Sequence, residues 1–215
     1  MIVISDMMGT LTTGSPVLGL LDWTRHHQSL LQANLRYAAM IPPYFLAKAG
    51  LMDLQAWSQS VMLESLGWIR DASPEKMKAV AEWALEKNLW PARREDVVAR
   101  LVEHKNRGAQ VHIASSVMEP LIEPFARRIG AHVIGTPVEY SAGRVRAAGD
   151  LVAQERKIEQ VLHRVGAERV DVAYGDTWMD IPLLEHAEHP VAVYPDKKLK
   201  ATALERGWEI LGSRE

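Results

Sequence analysis

The chain has 215 residues, 47% of them hydrophobic and 24% charged, and a formal net charge of -2. That length buries a full core, as one domain or as one domain carrying a smaller insertion. The charge balance gives no electrostatic case for nucleic acid or a membrane as partner, and the absence of cysteine excludes disulfides, thiolate zinc sites and cysteine nucleophiles.

The opening residues MIVISDMMGT lack the basic segment and long apolar run of a signal peptide, so a cytoplasmic protein is expected. Residues 2–5, IVIS, form a β-branched run that stops at Asp6 and read as a buried parallel strand. Residues 15–90 carry Leu, Ala, Met and Trp at helical spacing, with little β-branching. Breaks are expected at Pro42-Pro43, Gly50 and Ser73-Pro74, and Ser73-Pro74-Glu75 makes a helix start. About four helices are expected there. The apolar stretch Tyr37 to Ala47 is too short to cross a bilayer. Trp23, Trp57, Trp68, Trp83 and Trp90 lie in or beside this block as core filler, with one or two available to line an apolar pocket or a dimer surface.

From residue 94 onward the pattern alternates. A helix over 94–107 stops at Gly108, and the strand QVHIAS follows at 110–115. A helix near 118–129 ends at Gly130, followed by the strand AHVIGT and a hairpin turning at Gly143. A helix over 155–165 precedes the strand VDVAYGD. The strand PVAVY, a last helix and the short strand WEIL close the chain. Such alternation predicts an α/β fold with a parallel sheet. The organisation expected is a core of residues 1–14 and 91–215, interrupted by a helical cap of residues 15–90.

In open parallel sheets ligands bind outside the carboxyl ends of the strands. Here Asp6, Ser115 and Asp176 stand at predicted strand ends, with Asp180 four residues after Asp176 and Lys157 near a helix start. A carboxylate is a competent nucleophile toward phosphorus. Clustered carboxylates repel one another and call for a hard cation, and magnesium takes oxygen ligands. A hydroxyl and a lysine suit phosphate oxygens and the charge of the transition state.

On these residues the chain resembles the haloacid dehalogenase superfamily, in the branch similar to phosphoserine phosphatases. The motifs are Asp6-Met7-Met8-Gly9-Thr10-Leu11-Thr12, then VHIASS with Ser115 and, second to it, Ser116. Lys157 in QERKIEQVL follows, then YGDTWMDIPLLE with Asp176 and Asp180. They fall in the family's order over nearly the whole chain. The resemblance implies a Rossmann-like core with an inserted helical cap. It makes Asp6 the nucleophile and a Mg²⁺ ligand, with the Met8 carbonyl and Asp176 as further ligands. Ser115, Ser116 and Lys157 would hold the phosphoryl group, and Asp180 would bind the metal through water or orient Lys157. The partner implied is a small phosphorylated substrate.

One position departs from the family's pattern. Its phosphatases carry an aspartate two residues after the nucleophile, as general acid and base; this chain has Met8, which can do neither. General acid–base help is worth roughly 10²–10⁴-fold. Two alternatives therefore stand beside the phosphatase: a weak phosphate-ester binding protein, and a dehalogenase- or phosphonatase-type hydrolase. The phosphonatase type relies on a cap lysine, for which Lys48, Lys76, Lys78 and Lys87 are available without a matching motif. His26-His27 is the first place to seek a substitute acid, although adjacent helix positions do not face the same way. Arg93-Arg94 reads as a solvated helix start.

Overall fold

The computed structural model describes residues 1–148, 152 and 154–214. β1 (Ile2–Ser5) is followed by four helices: α1 (Pro16–His27), α2 (Leu30–Lys48), α3 (Leu54–Trp68) and α4 (Pro74–Ala84). A π-helical turn over 85–89 leads to α5 (Glu95–Asn106), β2 (Gln110–Met118), α6 (Glu119–Ile129) and β3 (His132–Thr136). Then come β4 (Val138–Ser141), β5 (Arg144–Ala148), α7 (Gln154–Val165) and β6 (Val170–Gly175). α8 (Ile181–Glu185), β7 (Ala187–Val193), α9 (Lys197–Arg206) and β8 (Glu209–Leu211) complete the order.

Six strands form one parallel sheet in the order β3-β2-β1-β6-β7-β8, which puts β1 inside it. The period-2 pleat sends Val3 to one face and Ile4 to the other, and both are fully buried. Val3, Val111, Ile113, Val172 and Val191 pack beneath α1, α4, α5 and α6, whose Leu20, Met77, Leu101 and Phe125 complete that layer. Ile4, Ala114, Ala173 and Ala192 meet α7, α8 and α9 through Val161, Leu183 and Leu199. The result is a three-layer, Rossmann-like α/β/α fold.

Two expectations need correction. Helix α2 does not break at Pro42-Pro43 but runs through both. The prolines remove the N–H groups that would serve the carbonyls of Ala38 and Ala39. Both alanines are exposed, so water can satisfy those carbonyls. Strand β2 does not stop at Ser115: it continues to Met118, with its register against β3 shifting between Ala114 and Met118. Regular pairing ends at Ala114, and the irregular segment lifts Ser115 and Ser116 out of the ladder. Ser73 caps α4 as expected, its Oγ accepting from Lys76 N at 3.3 Å. The β4–β5 hairpin turns at Ala142-Gly143, both at positive φ.

Candidate active site

Asp6 follows β1 directly, and its N–H donates to Tyr174 O at 2.9 Å, carrying the β1–β6 ladder one step past the strand. The chain then doubles back. Leu11 N and Thr12 N both donate to Met7 O, and Gly9 N donates to Thr12 O at 2.8 Å. Gly9 makes the bend possible at φ +85, and a Cβ there would lie 2.1 Å from Asp176 Oδ2. Across the turn, Arg94 Nε donates to Gly9 O at 2.7 Å while its guanidinium lies 3.8 Å from the centre of the Tyr194 ring. Arg94 stands at the start of α5 as expected, but half-buried, as a tie on the Asp6 turn.

Lys157 projects from the first turn of α7 to the same point. Its Nζ donates to Asp6 Oδ1 at 2.6 Å and to Asp180 Oδ1 at 2.9 Å, with all three residues buried. The other oxygen of Asp180 accepts from the backbone N–H of Asp176 and of Thr177, both at 3.2 Å. Those bonds fix Asp180 against the end of β6. Gly175 allows it, since a Cβ there would fall 2.4 Å from Asp180 Cβ. Thr10 Oγ1 lies 3.2 Å from Asp6 Oδ2 and 3.0 Å from Asp176 Oδ1, between the first and third carboxylates. Arg214, from the far end of the chain, donates through Nη2 to Asp176 Oδ2 and, at 3.0 Å, to Asp176 O.

Carboxylate oxygens of Asp6, Asp176 and Asp180 all lie within 4.8 Å of one another. Burial, opposed by Lys157 and reinforced by the Asp180 charge, pushes the Asp6 carboxyl up to about 6. Burial and the charges of Asp6 and Asp180 push Asp176 up to about 8, against the pull of Arg214 and Thr10. Burial alone would lower Lys157, but the two aspartates beside it outweigh that and raise it. The group thus gathers more negative charge than its cations neutralise. Three buried carboxylates so placed can hold a metal ion. The donors are all oxygen, the chain has no cysteine, and no histidine is among the described residues lining the cavity, so the set fits a hard cation.

The carboxylates open into a cavity of about 510 Å³. Met8, Ser115 and Ser116 line it together with Asp6, Lys157, Asp176 and Asp180, so the seven residues of the four sequence motifs meet there. Ser115 is buried, and its Oγ accepts from Val117 N at 3.3 Å. The opposite wall comes from the helical block, through Val17, Met40, Asp53, Trp57, Val61 and Met62. Larger hollows of about 680 and 610 Å³ lie beside α6 and β8, and neither is lined by Asp6, Asp176 or Asp180.

Some sequence candidates lie elsewhere. His26 Nδ1 is 2.8 Å from Asp22 O, and His27 stacks on Trp23 and meets Trp83 edge-on; neither lines the cavity. Lys48, Lys76, Lys78 and Lys87 are likewise absent from its walls, and Lys76 and Lys87 lie over Trp23 and Trp83. Of the five tryptophans, Trp57 lines the cavity, while Trp23 is buried in the core and Trp90 packs on Phe125. Sequence reasoning gave no site role to Thr10, Arg94 or Arg214. Thr10 sits inside the first motif and was accessible in principle; the two arginines carry no local signal.

The haloacid dehalogenase-like hydrolase profile matches residues 3–185. The chain therefore belongs to that family. It is 35% identical over 120 residues to a histidinol-phosphatase of Neisseria meningitidis, covering 50% of this chain and 54% of that one. It is 32% identical over 114 residues to the phosphoserine phosphatase SerB1 of Mycobacterium tuberculosis, covering 50% and 37%. The chain spans about half the length, or less, of the curated relatives it matches. Among solved structures, a Bordetella pertussis protein of unknown function superposes with a TM-score of 0.81 at 22% identity, over 98% of this chain and 97% of that one. A substrate-bound phosphoserine phosphatase superposes at 0.62 and 17% identity, over 100% and 93%. These likenesses show a fold shared with a solved phosphoserine phosphatase.

Proposed function

We propose that the protein is a magnesium-dependent phosphatase or phosphotransferase for a small phosphorylated metabolite, working through an aspartyl phosphate on Asp6. The observation that carries this reading is the buried Lys157 ammonium, 2.6 Å from Asp6 Oδ1 and 2.9 Å from Asp180 Oδ1, beside Asp176 at the sheet's carboxyl edge. Such a lysine holds a nucleophilic carboxylate ionised and in place. The names of the matched relatives, a histidinol-phosphatase and a phosphoserine phosphatase, support the substrate class.

Asp6, Asp176 and the Met8 carbonyl would hold Mg²⁺, which when bound offsets the charge of the carboxylates and of a phosphate ester. Asp6 Oδ2 attacks phosphorus, and the bond from phosphorus to the ester oxygen breaks. Lys157, Ser115 and Ser116 grip the phosphoryl oxygens. Asp180 orients Lys157, since its second oxygen is fixed by two backbone N–H groups. Met8 faces the cavity where an acid would protonate the leaving oxygen and later activate water. Neither proton transfer is served there, so activated esters should react and alkyl esters should lag.

We also propose that residues 15–90 act as a cap on the core of residues 1–14 and 91–215. Support comes from Met40, Trp57, Val61 and Met62 in the cavity wall. Asp53 apart, that wall is largely apolar, which favours an ester with an apolar body over free phosphoserine. The test is hydrolysis of aryl and alkyl phosphates with and without Mg²⁺. Mg²⁺-dependent turnover of the aryl ester, lost in Asp6→Asn, is expected; equal rates in both proteins would reject the assignment.

A further inference from the structure

Helix α2 carries an inward stripe, apolar but for Arg36, and an apolar stripe on the opposite side. Ala33, Arg36, Met40, Pro43 and Ala47 alternate at three- and four-residue spacing and face inward; Ala33 and Ala47 are buried and the other three half-buried. Leu31, Leu35, Ala38, Pro42 and Phe45 repeat the same spacing on the other side, where Leu31 is 69%, Leu35 62% and Phe45 60% exposed. A helix at the surface of a soluble protein ordinarily places charge there. Ten of the sixteen exposed large hydrophobic side chains among the described residues fall between Leu30 and Met52. Contiguous apolar exposure of this kind marks an interaction surface.

The local charge indicates what covers it. Between Asp22 and Asp53 the sequence holds three basic side chains, Arg25, Arg36 and Lys48, and no acidic one, within a chain of net charge -2; Arg36 turns inward over Trp68, which leaves Arg25 and Lys48 at the surface. The whole-chain charge, on which the expectation of no membrane partner rested, averages this asymmetry away. Exposed Tyr37 and Tyr44 add amphipathic rings of the kind that favour a membrane–water boundary. A second copy of the chain fits less well. A two-fold through this face would oppose like charges, with no acidic side chain on it to pair them. No helix of the structure, among the described residues, is long and apolar enough to cross a membrane.

We propose that α2 is a docking element for an anionic lipid surface, lying in the plane of the interface. Its outer stripe rests at the boundary between headgroups and acyl chains, where water still reaches the carbonyls that Pro42 and Pro43 leave unpaired, and Arg25 and Lys48 sit among the headgroups. Because Met40 on its inner stripe lines the cavity, docking brings one wall of the cavity against the bilayer. The proposal does not depend on the chemistry of Asp6.

The test is co-sedimentation of the full chain with vesicles of phosphatidylcholine alone and of phosphatidylcholine with phosphatidylglycerol, with solution mass from light scattering. Binding to the phosphatidylglycerol vesicles is expected, weakened by salt. Lys48→Glu should weaken it more than about fivefold, the worth of one cation near such a surface. The double variant Leu35→Glu/Phe45→Glu should abolish it. Both variants should keep the wild-type melting curve, since these side chains are exposed; a variant that misfolds is replaced by the salt series on wild type. Failure to sediment with phosphatidylglycerol vesicles overturns the proposal. So does a solution dimer that Leu35→Glu/Phe45→Glu converts to monomer, which assigns the face to a second copy.

Discussion

Gly9 and Asp176 stand so close that a single added methyl carbon on the glycine would lie 2.1 Å from the aspartate's Oδ2 and 2.6 Å from its Cγ. The turn after β1 and the end of β6 are therefore one fitted unit. Gly9 has φ +85, so an alanine there suffers both backbone strain and a collision. Gly9→Ala should displace the Asp176 carboxylate, with Mg²⁺ affinity by calorimetry falling at least about tenfold and the melting temperature dropping. Unchanged Mg²⁺ affinity would show that the two residues do not share a site.

Lys157 holds two buried carboxylates apart from one another's charge. Breaking a buried ion pair by removing one partner costs about 3–5 kcal/mol. Lys157→Met should lower the melting temperature strongly, and added Mg²⁺ should restore part of it by taking over the charge. A variant as stable as wild type without Mg²⁺ would remove the lysine from this role.

Arg214 donates to both the carboxylate and the carbonyl of Asp176, yet 43% of its side chain is exposed. It therefore competes with any cation for the same oxygen, and an exposed guanidinium can move away to solvent. Arg214→Ala is expected to raise Mg²⁺ affinity severalfold in calorimetry. A loss of affinity would instead make the arginine part of the metal-binding arrangement.

The sequence exposed most of this site because its elements are locally determined. Asp6 and Asp176 follow buried β-branched runs, and helix ends at Gly108 and Gly130 delimit the strands between them. Ser115 was legible as a residue leaving a strand, although β2 continues past it, because only the partner strand reveals where regular pairing stops. Arg214 was not legible, since a lone arginine 38 residues beyond Asp176 carries no pattern. Helix α2 was misjudged at Pro42-Pro43 because a local rule counts lost hydrogen bonds without knowing that the freed carbonyls face water.

His112 on β2 is 7% exposed, and neither ring nitrogen has a hydrogen-bond partner. Burial, with His132 on β3, Arg164 and Lys105 adding positive charge, pushes the imidazole down to about 4. The unfolded chain protonates this group near its ordinary value of about 6.5. Between those values the unfolded state binds a proton that the folded state does not. Stability therefore falls as pH drops through that window, by on the order of 2–3 kcal/mol in total. Urea titrations of His112→Val should show a shallower loss from pH 6.5 to 4 than wild type. Parallel curves would remove His112 from the acid sensitivity.

The central claim is that Asp6 forms a phosphoryl bond which Met8 cannot help to resolve. An aspartyl phosphate formed by the wild type should therefore persist. Incubation with an activated aryl phosphate and Mg²⁺, followed by intact-mass measurement after rapid quenching, tests this directly. One added phosphoryl group is expected on wild type, none on Asp6→Asn, and a shorter-lived adduct on Met8→Asp. The last variant should also gain turnover approaching the roughly 10²–10⁴-fold worth of general acid–base help, most of all on alkyl esters. An unmodified wild type, with Met8→Asp equally inert, would contradict it.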